Sequence, residues 1–505
     1  MKVVDVLSGC GAESSGGGAK ANNVEVTGLS QDSRAVKTGD LFFALPGARS
    51  DGAQYAQDAV KAGAVAVMAE KKLDVKVPCF VVSAGNARKA LALAAANFYK
   101  RPAAELVMLG VTGTNGKTTT TYLLESICAA GGATTGIIGT IQYKYAGKSI
   151  DPSHTTPDAI ALHKLLREMV DAGTDTVVME VSSHALVQER VHGLTFRAVA
   201  FTNLTRDHLD YHRDMEDYFQ AKRRLFSDYL SPGGVGVVNG DDTYAARLYN
   251  ELRGQKRMAW KFSRVGNGEI SAADVELSLN GIKATLKTPA GDIPVKSQLL
   301  GPHNLENILA ATGMALGAGF SRRDVQDGIE RCRRVPGRME RVEANGVSAL
   351  VDYAHTDDAL RRALETARAV GRGRVIVVFG CGGDRDKGKR PLMGQAAAEG
   401  SDLVVVTSDN PRTEDPDHVI AEILPGLEKS GMRRMSAGKA KAGEKGYLVE
   451  ADRKAAIELA SQLAKAGDVI VVAGKGHEPY QEIDGERRPF DDRAVAEAAL
   501  QAPRA

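Results

Sequence analysis

Features that would indicate a secreted, membrane-bound or nucleic-acid-binding protein are scarce in this sequence of 505 residues. Its five cysteines are scattered and form no C-x-x-C pair, which argues against a disulfide framework or a zinc site. No run of 18 apolar residues occurs, and Met1 to Cys10 lacks the basic segment and apolar core of a secretory signal. The net charge is only +2, and the short basic runs lack interleaved aromatic residues. We therefore expect a cytoplasmic protein without membrane insertion and without a nucleic-acid partner.

The length and the chain breakers together predict the domain organisation. A chain of this size exceeds what one hydrophobic core supports, so roughly two to four domains are expected, and three is the favoured number. Lys100-Arg101-Pro102 ends an alanine-rich helix, and Val335-Pro336-Gly337-Arg338 separates two series of strands and helices. The predicted domains are residues 1–102, 103–336 and 337–505.

The second and third ranges each alternate apolar strands with helical segments, which predicts α/β domains with doubly wound, mostly parallel sheets. Parallel sheets bind their ligands at the carboxyl ends of the strands, and each candidate strand is followed by polar residues. We therefore expect the functional residues to meet there. The candidate strands are Leu106 to Val111, Thr176 to Val181, Ala198 to Phe201, Gly234 to Val238, Ala349 to Tyr353, Val375 to Phe379, Leu403 to Thr407 and Val469 to Ala473.

The segment from Gly110 to Thr119 has the composition of a phosphate-binding loop. Its glycines let the backbone approach phosphate oxygens, and the N–H groups of the following helix point at the anion. Lys117 can reach the terminal phosphates, and the Thr118 hydroxyl can hold Mg²⁺. The match to G-x-x-x-x-G-K-[ST] is imperfect, because the first glycine position falls on Val111. The loop predicts that the protein binds a nucleoside triphosphate.

Several other residues that could carry chemistry have more than one interpretation. Glu180 stands at the end of a strand and is suited to a magnesium ligand. His208 is a second candidate, in competition with Asp207 and Asp210 nearby. Lys222 lies in the middle of a predicted helix and, taken by itself, is interpreted as a solvated charge.

Three further features are ambiguous when considered alone. Arg385 and Arg412 each follow a strand in the last third of the chain and suggest carboxylate recognition, although surface arginines are common. The segment Asp32-Ser33-Arg34 is interpreted as a polar turn. The Lys- and Gly-rich stretch 436–446 is predicted to be a mobile surface insertion.

Taken together and in order, the motifs resemble those of the Mur ligase family over nearly the whole chain. The resemblance implies three domains: one for the UDP part of a substrate, a central P-loop ATPase and a C-terminal Rossmann-like domain for the incoming amino acid. Within the family, it implies an enzyme that adds meso-2,6-diaminopimelate to UDP-N-acetylmuramoyl-L-alanyl-D-glutamate during peptidoglycan synthesis. The matching segments are Gly113 to Thr119, Glu180 to His184, Thr202 to Leu204, Asp207 to Asp210, Gly301 to Asn304 with Asn307, Pro336 to Glu340 and Asp352 to His355.

The resemblance also implies a role for individual residues. Those implied to bind ATP are Gly113, Thr114, Asn115, Gly116, Lys117, Thr118 and Thr119. Those implied to bind the UDP-linked dipeptide substrate are Ser33, Thr155, Thr156, Ser182, Gln188 and Arg190. Those implied to bind diaminopimelate are Arg385, Asp409, Asn410, Pro411, Arg412, Gly474 and Glu478. The implied catalytic residues are Lys117, Glu180, His208 and Lys222, and the implied Mg²⁺ ligands are Thr118, Glu180, His208 and Lys222 as its carbamate.

The family mechanism transfers the γ-phosphoryl group of ATP to the D-glutamyl carboxylate, and the amine of diaminopimelate then displaces phosphate. Arg412 is expected to pair with the carboxylate that distinguishes diaminopimelate from lysine, and losing such a buried pair costs roughly 2–5 kcal/mol. His355 is a weak candidate for accepting the proton of the amine. We expect a monomer. Because the ATP and amino-acid sites lie in different domains, we also expect the C-terminal domain to close over the ATPase.

Two other interpretations are consistent with the phosphate loop. A folylpolyglutamate synthase would share the loop and the central fold, but we would not expect it to carry Asp32-Ser33-Arg34 or Asp409-Asn410-Pro411-Arg412. A regulatory or transport ATPase would use the same loop without joining two substrates, and it would hydrolyse ATP independently of any amino acid.

Overall fold

The computed structural model describes residues 1–16, 18–47 and 50–502 of the chain. Its main sheets lie one in each of the three predicted ranges. The domain boundaries themselves stay a prediction. Among the described residues, no helix combines the length and the apolar character that crossing a bilayer requires.

The first range forms a small α/β unit with the strand order β1-β5-β4-β3-β2, in which only β1 runs antiparallel to its neighbour. The strands are β1 (Glu13–Ser14), β2 (Gly28–Ser30), β3 (Asp40–Phe43), β4 (Ala66–Ala69) and β5 (Cys79–Val81). The helices are α1 (Val3–Val6), α2 (Gly18–Asn22), α3 (Ala56–Lys61) and α4 (Ala87–Phe98). Helix α4 ends near the predicted break, because Lys100 and Arg101 adopt positive φ angles of 61° and 49° before Pro102.

The central range is a doubly wound sheet with the order β13-β12-β11-β6-β10-β7-β8-β9, parallel from β13 to β7. Its strands are β6 (Val107–Thr112), β7 (Thr135–Ile138), β8 (Tyr143–Tyr145), β9 (Lys148–Ile150), β10 (Thr176–Glu180), β11 (Phe196–Phe201), β12 (Leu230–Asn239) and β13 (Ala259–Phe262). An antiparallel sheet follows, formed by β14 (Ser271–Ser278), β15 (Gly281–Lys287) and β16 (Ile293–Ser297). The helices are α5 (Lys117–Ala130), α6 (Ala159–Asp171), α7 (Ser183–Val187), α8 (Met215–Ser227), α9 (Thr243–Gly254), α10 (Pro302–Ala318) and α11 (Arg322–Arg331).

The last range has the strand order β17-β18-β22-β19-β20-β21, parallel except for β17 at one edge. Its strands are β17 (Glu340–Ala344), β18 (Val347–Asp352), β19 (Val375–Phe379), β20 (Leu403–Val406), β21 (Gly446–Val449) and β22 (Val469–Ala473). A hairpin of β23 (Tyr480–Ile483) and β24 (Glu486–Pro489) follows. The helices are α12 (Asp357–Val370), α13 (Lys389–Gly400), α14 (Pro416–Lys429), α15 (Ala437–Ala442), α16 (Arg453–Leu463) and α17 (Asp492–Gln501).

The stretch 436–446, predicted to be a mobile surface insertion, lies mostly at the surface and forms a short helix, and its mobility stays a prediction. The stretch forms helix α15, and Ala440 of that helix is fully buried in the core of the last domain. The carbonyl of Ala440 also accepts a hydrogen bond of 3.1 Å from Arg374. Gly443 ends the helix with a φ of 99°, and β21 begins three residues later at Gly446. Within the helix only Ala440 packs into the core, and the other small residues and the lysines are exposed.

The eight predicted parallel strands are confirmed to within a few residues at each end. These strands are mainly apolar and buried over most of their length, which is the pattern typical of parallel sheets covered by helices. The carboxyl ends of these strands bring together the loops that the sequence singled out.

Candidate active site

The loop between β6 and α5 can take its shape only because glycine occupies two positions. Gly113 and Gly116 have φ angles of 143° and 87°. A Cβ on Gly113 would lie 1.9 Å from the Thr202 hydroxyl, and one on Gly116 would lie 2.4 Å from the Asn307 side chain. Val111 is buried within β6. The loop therefore leads directly into the amino end of α5, where free backbone N–H groups favour an anion.

Lys117 begins α5 and lies beneath the loop. Its ammonium group donates hydrogen bonds to the carbonyls of Gly113 at 3.0 Å and Thr114 at 2.9 Å. Burial lowers the pKa of this lysine, while the charges of Glu180 and Asp207 act in the opposite direction. The amine is thus held within the loop that would surround the phosphates of a nucleotide.

Glu180, at the end of β10, is only 1% exposed and lies beside the phosphate loop. Its carboxylate accepts hydrogen bonds from the backbone N–H of Thr140 at 2.9 Å and from the Thr140 hydroxyl at 3.0 Å. The hydroxyl of Thr118, in the first turn of α5, accepts a hydrogen bond of 3.2 Å from Arg338. The carboxylate of Glu180 at the end of β10 and the Thr118 hydroxyl in the helix that follows the neighbouring strand β6 are hard oxygen donors of the kind that Mg²⁺ prefers.

The interpretation of Lys222 as a solvated charge is wrong. The side chain is 1% exposed, and its amine donates a hydrogen bond of 2.8 Å to the carbonyl of Gly113. The amine also lies 4.4 Å from the centre of the Tyr218 ring. Burial, reinforced by the charge of Lys117, lowers the pKa of Lys222 well below its usual value. Helix α8 packs this face against the phosphate loop.

His208 is close to this lysine but half-exposed. Its ring lies 5.0 Å from the ring of His184 and 6.0 Å from that of Tyr218, measured between centres. Burial lowers the pKa of His208, and the positive charge of Lys222 lowers it further, against the opposing effect of Asp207. Within the described ranges, no group of three or more His, Cys, Asp or Glu side chains is arranged to hold a metal ion.

Five of the six residues implied to bind the UDP-linked substrate form one connected cluster, in which Thr155 and Thr156 precede α6 and the other three follow β10. Arg190 donates to the carbonyl of Thr156 at 2.7 Å and to the side chain of Gln188 at 2.8 Å. The Thr156 hydroxyl accepts the backbone N–H of Ser182 at 3.1 Å. The Thr155 hydroxyl lies 3.0 Å from that of Thr140, which links the cluster to Glu180.

The sixth residue, Ser33, lies in the first domain and apart from this cluster. It begins a short 3-10 turn, Ser33–Ala35, after β2. The carboxylate of Asp32 accepts the backbone N–H of Arg34 at 3.0 Å and so fixes the turn. The interpretation of this segment as a polar turn is confirmed.

A cavity of about 730 Å³ lies between the central and last domains. One wall comes from the central domain, and the opposite wall comes from loops at the carboxyl ends of β18, β19, β20 and β22. Of the residues implied to bind diaminopimelate, all except Pro411 line it. The lining includes His184, Arg206 to Asp210, Tyr353, His355, Arg385, Asp409, Asn410, Arg412, Gly474 and Glu478.

The polar groups of this cavity include positive and negative charges. Arg412 has a φ of 55° and donates a hydrogen bond of 2.6 Å to the carbonyl of Gly383. Glu478 accepts hydrogen bonds from Asn410 at 2.8 Å and from Lys475 at 3.2 Å. The arrangement suits a ligand that carries both carboxylate and ammonium groups.

Lys475 and Asp358 are functional candidates that the sequence reasoning missed. The Lys475 side chain is 0% exposed and already supplies Glu478 with an ammonium partner. Asp358 in α12 accepts a hydrogen bond of 2.8 Å from Asn115 of the phosphate loop. For Lys475, the segment Gly474-Lys475-Gly476 directly after a strand was a usable signal. Asp358 had no such local signal, because its partner Asn115 lies 243 residues away in the chain.

Comparisons with known proteins agree with this architecture. Three family models match in order: the Mur ligase family catalytic domain at residues 25–103, the Mur ligase middle domain at 111–315 and the Mur ligase glutamate ligase domain at 337–476. The UDP-N-acetylmuramoyl-L-alanyl-D-glutamate–2,6-diaminopimelate ligase of Geobacter metallireducens is 47% identical over 495 residues, which cover 96% of each chain.

Solved structures give the same result. A structure of a UDP-N-acetylmuramoyl-L-alanyl-D-glutamate–2,6-diaminopimelate ligase matches with a TM-score of 0.68 and 35% identity over 94% of both chains. The folylpolyglutamate synthase of Mycobacterium tuberculosis, in complex with ADP and AMPPCP, shares the fold with a TM-score of 0.61. Its identity is 19%, and the match covers 77% of this chain and 92% of that one. The chain, an α/β protein with the three-domain ligase architecture, belongs to the Mur ligase family.

Proposed function

We propose that this protein is an ATP-dependent ligase that joins meso-2,6-diaminopimelate to UDP-N-acetylmuramoyl-L-alanyl-D-glutamate in the cytoplasm, as a step of peptidoglycan precursor synthesis. One observation carries the proposal. The central and last domains enclose the cavity that holds Arg385 and Arg412. The phosphate loop lines a second pocket between the same two domains, where Asn115 is hydrogen-bonded to Asp358. An enzyme that activates one substrate with ATP and joins it to a second needs such an arrangement. The names of the relatives support the choice of substrates.

ATP is required because a free carboxylate has no good leaving group. In the proposed reaction, a carboxylate oxygen attacks the γ-phosphorus, and the bond from that phosphorus to the β-phosphate oxygen breaks, releasing ADP. The amine nitrogen then attacks the acyl carbon, phosphate leaves, and the ammonium proton passes to a base or to water. Lys117 and the N–H groups at the start of α5 would stabilise the charge on the phosphates.

His355 is a weak candidate for the base that accepts the proton of the attacking amine. Its Nδ1–H donates to the carbonyl of Tyr353 at 2.8 Å, which leaves the lone pair on Nε2. Burial, with the nearby charge of Lys389, lowers the pKa of His355 to about 4. The imidazole is therefore neutral at pH 7, and its low pKa makes it a weak general base.

Mg²⁺ fits the donor set beside the phosphate loop. Thr118 and Glu180 would hold it next to the phosphates, and His208 with the carbamate of Lys222 would hold a second ion. When bound, Mg²⁺ supplies positive charge to the phosphate oxygens. A neutral lysine amine reacts with carbon dioxide, and the lowered pKa of Lys222 favours that form.

The two ends of the UDP-linked substrate would bind in different domains. Ser33 would contact the uridine end, and the cluster of Thr155, Thr156, Ser182, Gln188 and Arg190 would hold the muramoyl dipeptide. This cluster is hydrogen-bonded to Thr140, a partner of Glu180, which would bring the substrate carboxylate close to the γ-phosphate. The protein is proposed to act as a monomer.

The test measures phosphate release with ATP, Mg²⁺ and UDP-N-acetylmuramoyl-L-alanyl-D-glutamate, adding either meso-diaminopimelate or L-lysine. We expect phosphate and a tripeptide product, identified by mass, only with diaminopimelate. A preference for lysine would support the ligase activity but would contradict the proposed pairing of Arg412 with the distal carboxylate of diaminopimelate. Hydrolysis of ATP without any amine would favour a regulatory or transport ATPase.

A further inference from the structure

Two loops of the last domain carry both arginines that are proposed to bind the amine substrate. The loop after β19, residues 380–388, holds Arg385, and the loop after β20, residues 407–415, holds Arg412. Both side chains line the cavity. Guanidinium groups of like charge repel one another, so the fold must hold the two loops together.

Arg390, in the first turn of α13, joins the two loops. Its side chain is 0% exposed and donates a pair of hydrogen bonds to Glu414, at 2.8 and 3.0 Å. It also donates to Glu422 of α14 at 2.6 Å and to the carbonyl of Gly382 at 3.3 Å. One buried cation therefore contacts the first loop, the second loop and the helix that follows it.

Glu414 extends this link to the backbone next to Arg385. Its carboxylate accepts the N–H of Asp384 at 2.6 Å, and the side chain of Asp384 accepts the Thr413 hydroxyl at 2.9 Å. Asp384 has a φ of 53°, a conformation that a non-glycine residue keeps only where its surroundings hold it. The hydrogen bond from Arg390, followed by that from Asp384, lowers the pKa of Glu414 to about 2, so the link stays charged at neutral pH.

The position of Arg412 depends on the same backbone. Arg412 donates to the carbonyl of Gly383 at 2.6 Å, and the N–H of Gly383 donates to the carbonyl of Asn410 at 2.9 Å. A Cβ on Gly383 would lie 1.9 Å from the carbonyl oxygen of Pro411, so the loops could not approach this closely with any larger residue. Moving Asp384 would therefore move both arginines.

We propose that Arg390 and Glu414 are positioning residues that determine which amine the enzyme accepts. The pair fixes the spacing of Arg385 and Arg412, so that a distal carboxylate on the amine substrate meets both guanidinium groups. Neither Arg390 nor Glu414 lines the cavity, and both act through the loops. The inference rests on the proposed function and deepens it, because it names what holds the specificity site in shape.

The test compares Glu414→Gln with the wild-type chain. Glutamine keeps the size of the side chain but removes the charge that pairs with Arg390. We expect KM for diaminopimelate to rise roughly tenfold, and the preference in kcat/KM for diaminopimelate over L-lysine to fall by a similar factor. KM for ATP and for the UDP-linked substrate should not change. Lys454→Met, which breaks an exposed ion pair with Glu458 in α16, is the matched control and should alter none of these values.

Equal losses with both amines, or a lower melting temperature with unchanged amine preference, would overturn the proposal. Thr413→Val is a second variant in case Glu414→Gln does not fold, since it removes only an exposed hydroxyl from Asp384. It should shift the amine preference in the same direction by about threefold, and an unchanged preference would reject the positioning role. The ligation assay on the wild-type chain distinguishes failure of this inference from failure of the proposed function. If the wild-type chain forms no tripeptide product from diaminopimelate, the proposed function itself is wrong.

Discussion

The side-chain amide of Asn115 donates a hydrogen bond of 2.8 Å to the carboxylate of Asp358, joining the phosphate loop to the first turn of α12. The hydroxyl of Thr205 donates to the same oxygen at 3.2 Å. The last domain thus contacts the nucleotide loop directly. Nucleotide affinity and domain placement are therefore expected to be coupled.

Asp358→Ala should weaken nucleotide binding. The change removes the acceptor shared by Asn115 and Thr205, and hydrogen bonds to a charged group contribute about 1.5–3 kcal/mol. We expect KM for ATP to rise roughly tenfold and the radius of gyration from X-ray scattering to increase. Asp357→Ala removes a carboxylate from the same turn and is the control. Unchanged values for Asp358→Ala would show that the contact does not couple the domains.

Arg412→Ala should lower kcat/KM for diaminopimelate much more than it lowers turnover of L-lysine. Loss of the guanidinium leaves the distal carboxylate of diaminopimelate without its partner, which costs roughly 2–5 kcal/mol in kcat/KM. L-lysine has no such carboxylate, so its turnover should change little. Competition assays with both amines measure the ratio directly. A proportional loss with both would contradict the assigned role of Arg412.

Lys222→Ala should abolish ligation, and a short-chain carboxylic acid should partly restore it. The acid would occupy the space of the missing carbamate and supply the same oxygen donors. Lys222→Arg keeps a positive charge but cannot form the carbamate, so it should be inactive and should not respond to the acid. Phosphate release across an acid titration gives both results. Full activity of Lys222→Ala without the acid would exclude the carbamate.

His163→Leu should make the protein less sensitive to acid. Burial in α6 lowers the pKa of His163 to about 4, so the folded chain keeps this group neutral while the unfolded chain protonates it near pH 6.5. The unfolded chain binds more protons in this window, and the free energy of unfolding falls by roughly 3 kcal/mol as the pH drops from 6.5 to 4. His163→Leu removes the titrating imidazole and should therefore remove this loss of stability at low pH.

Melting temperatures at pH 7 and pH 4.5 measure this effect. The drop between the two should be smaller in His163→Leu than in the wild-type chain. His418→Leu, at an exposed position of α14, should leave the wild-type drop unchanged. An equal drop in His163→Leu would show that other groups cause the acid sensitivity.

Much of the fold could be predicted because its signals are local. The buried strands from Val375–Phe379 and Val469–Ala473 are short apolar runs followed by polar loops, and both were found. The antiparallel strands β14 to β16 were not predicted. Ser271–Ser278 has no buried side chain and exposes half of its residues, so it lacks the continuous apolar run that marked the parallel strands.

Long-range contacts limited what could be predicted for the site. The phosphate loop was visible because its glycines and Lys117 are adjacent in sequence. Lys222 was misinterpreted from its neighbours alone, because its burial depends on Gly113, which lies 109 residues earlier. Arg390 stood in a short basic run, and nothing in that run indicates that Glu414 and Glu422 bury it. Only the resemblance to a family indicated that Lys222 matters.

The cavity of about 730 Å³ has one wall in each of two domains, and this has a consequence for the speed of the enzyme. We expect a tripeptide product formed between the walls to leave as they separate, which requires whole domains to move through the surrounding liquid. Movements of this size are slowed by friction with the solvent, whereas bond making inside the cavity is not. Turnover should therefore fall as glycerol or sucrose makes the medium more viscous.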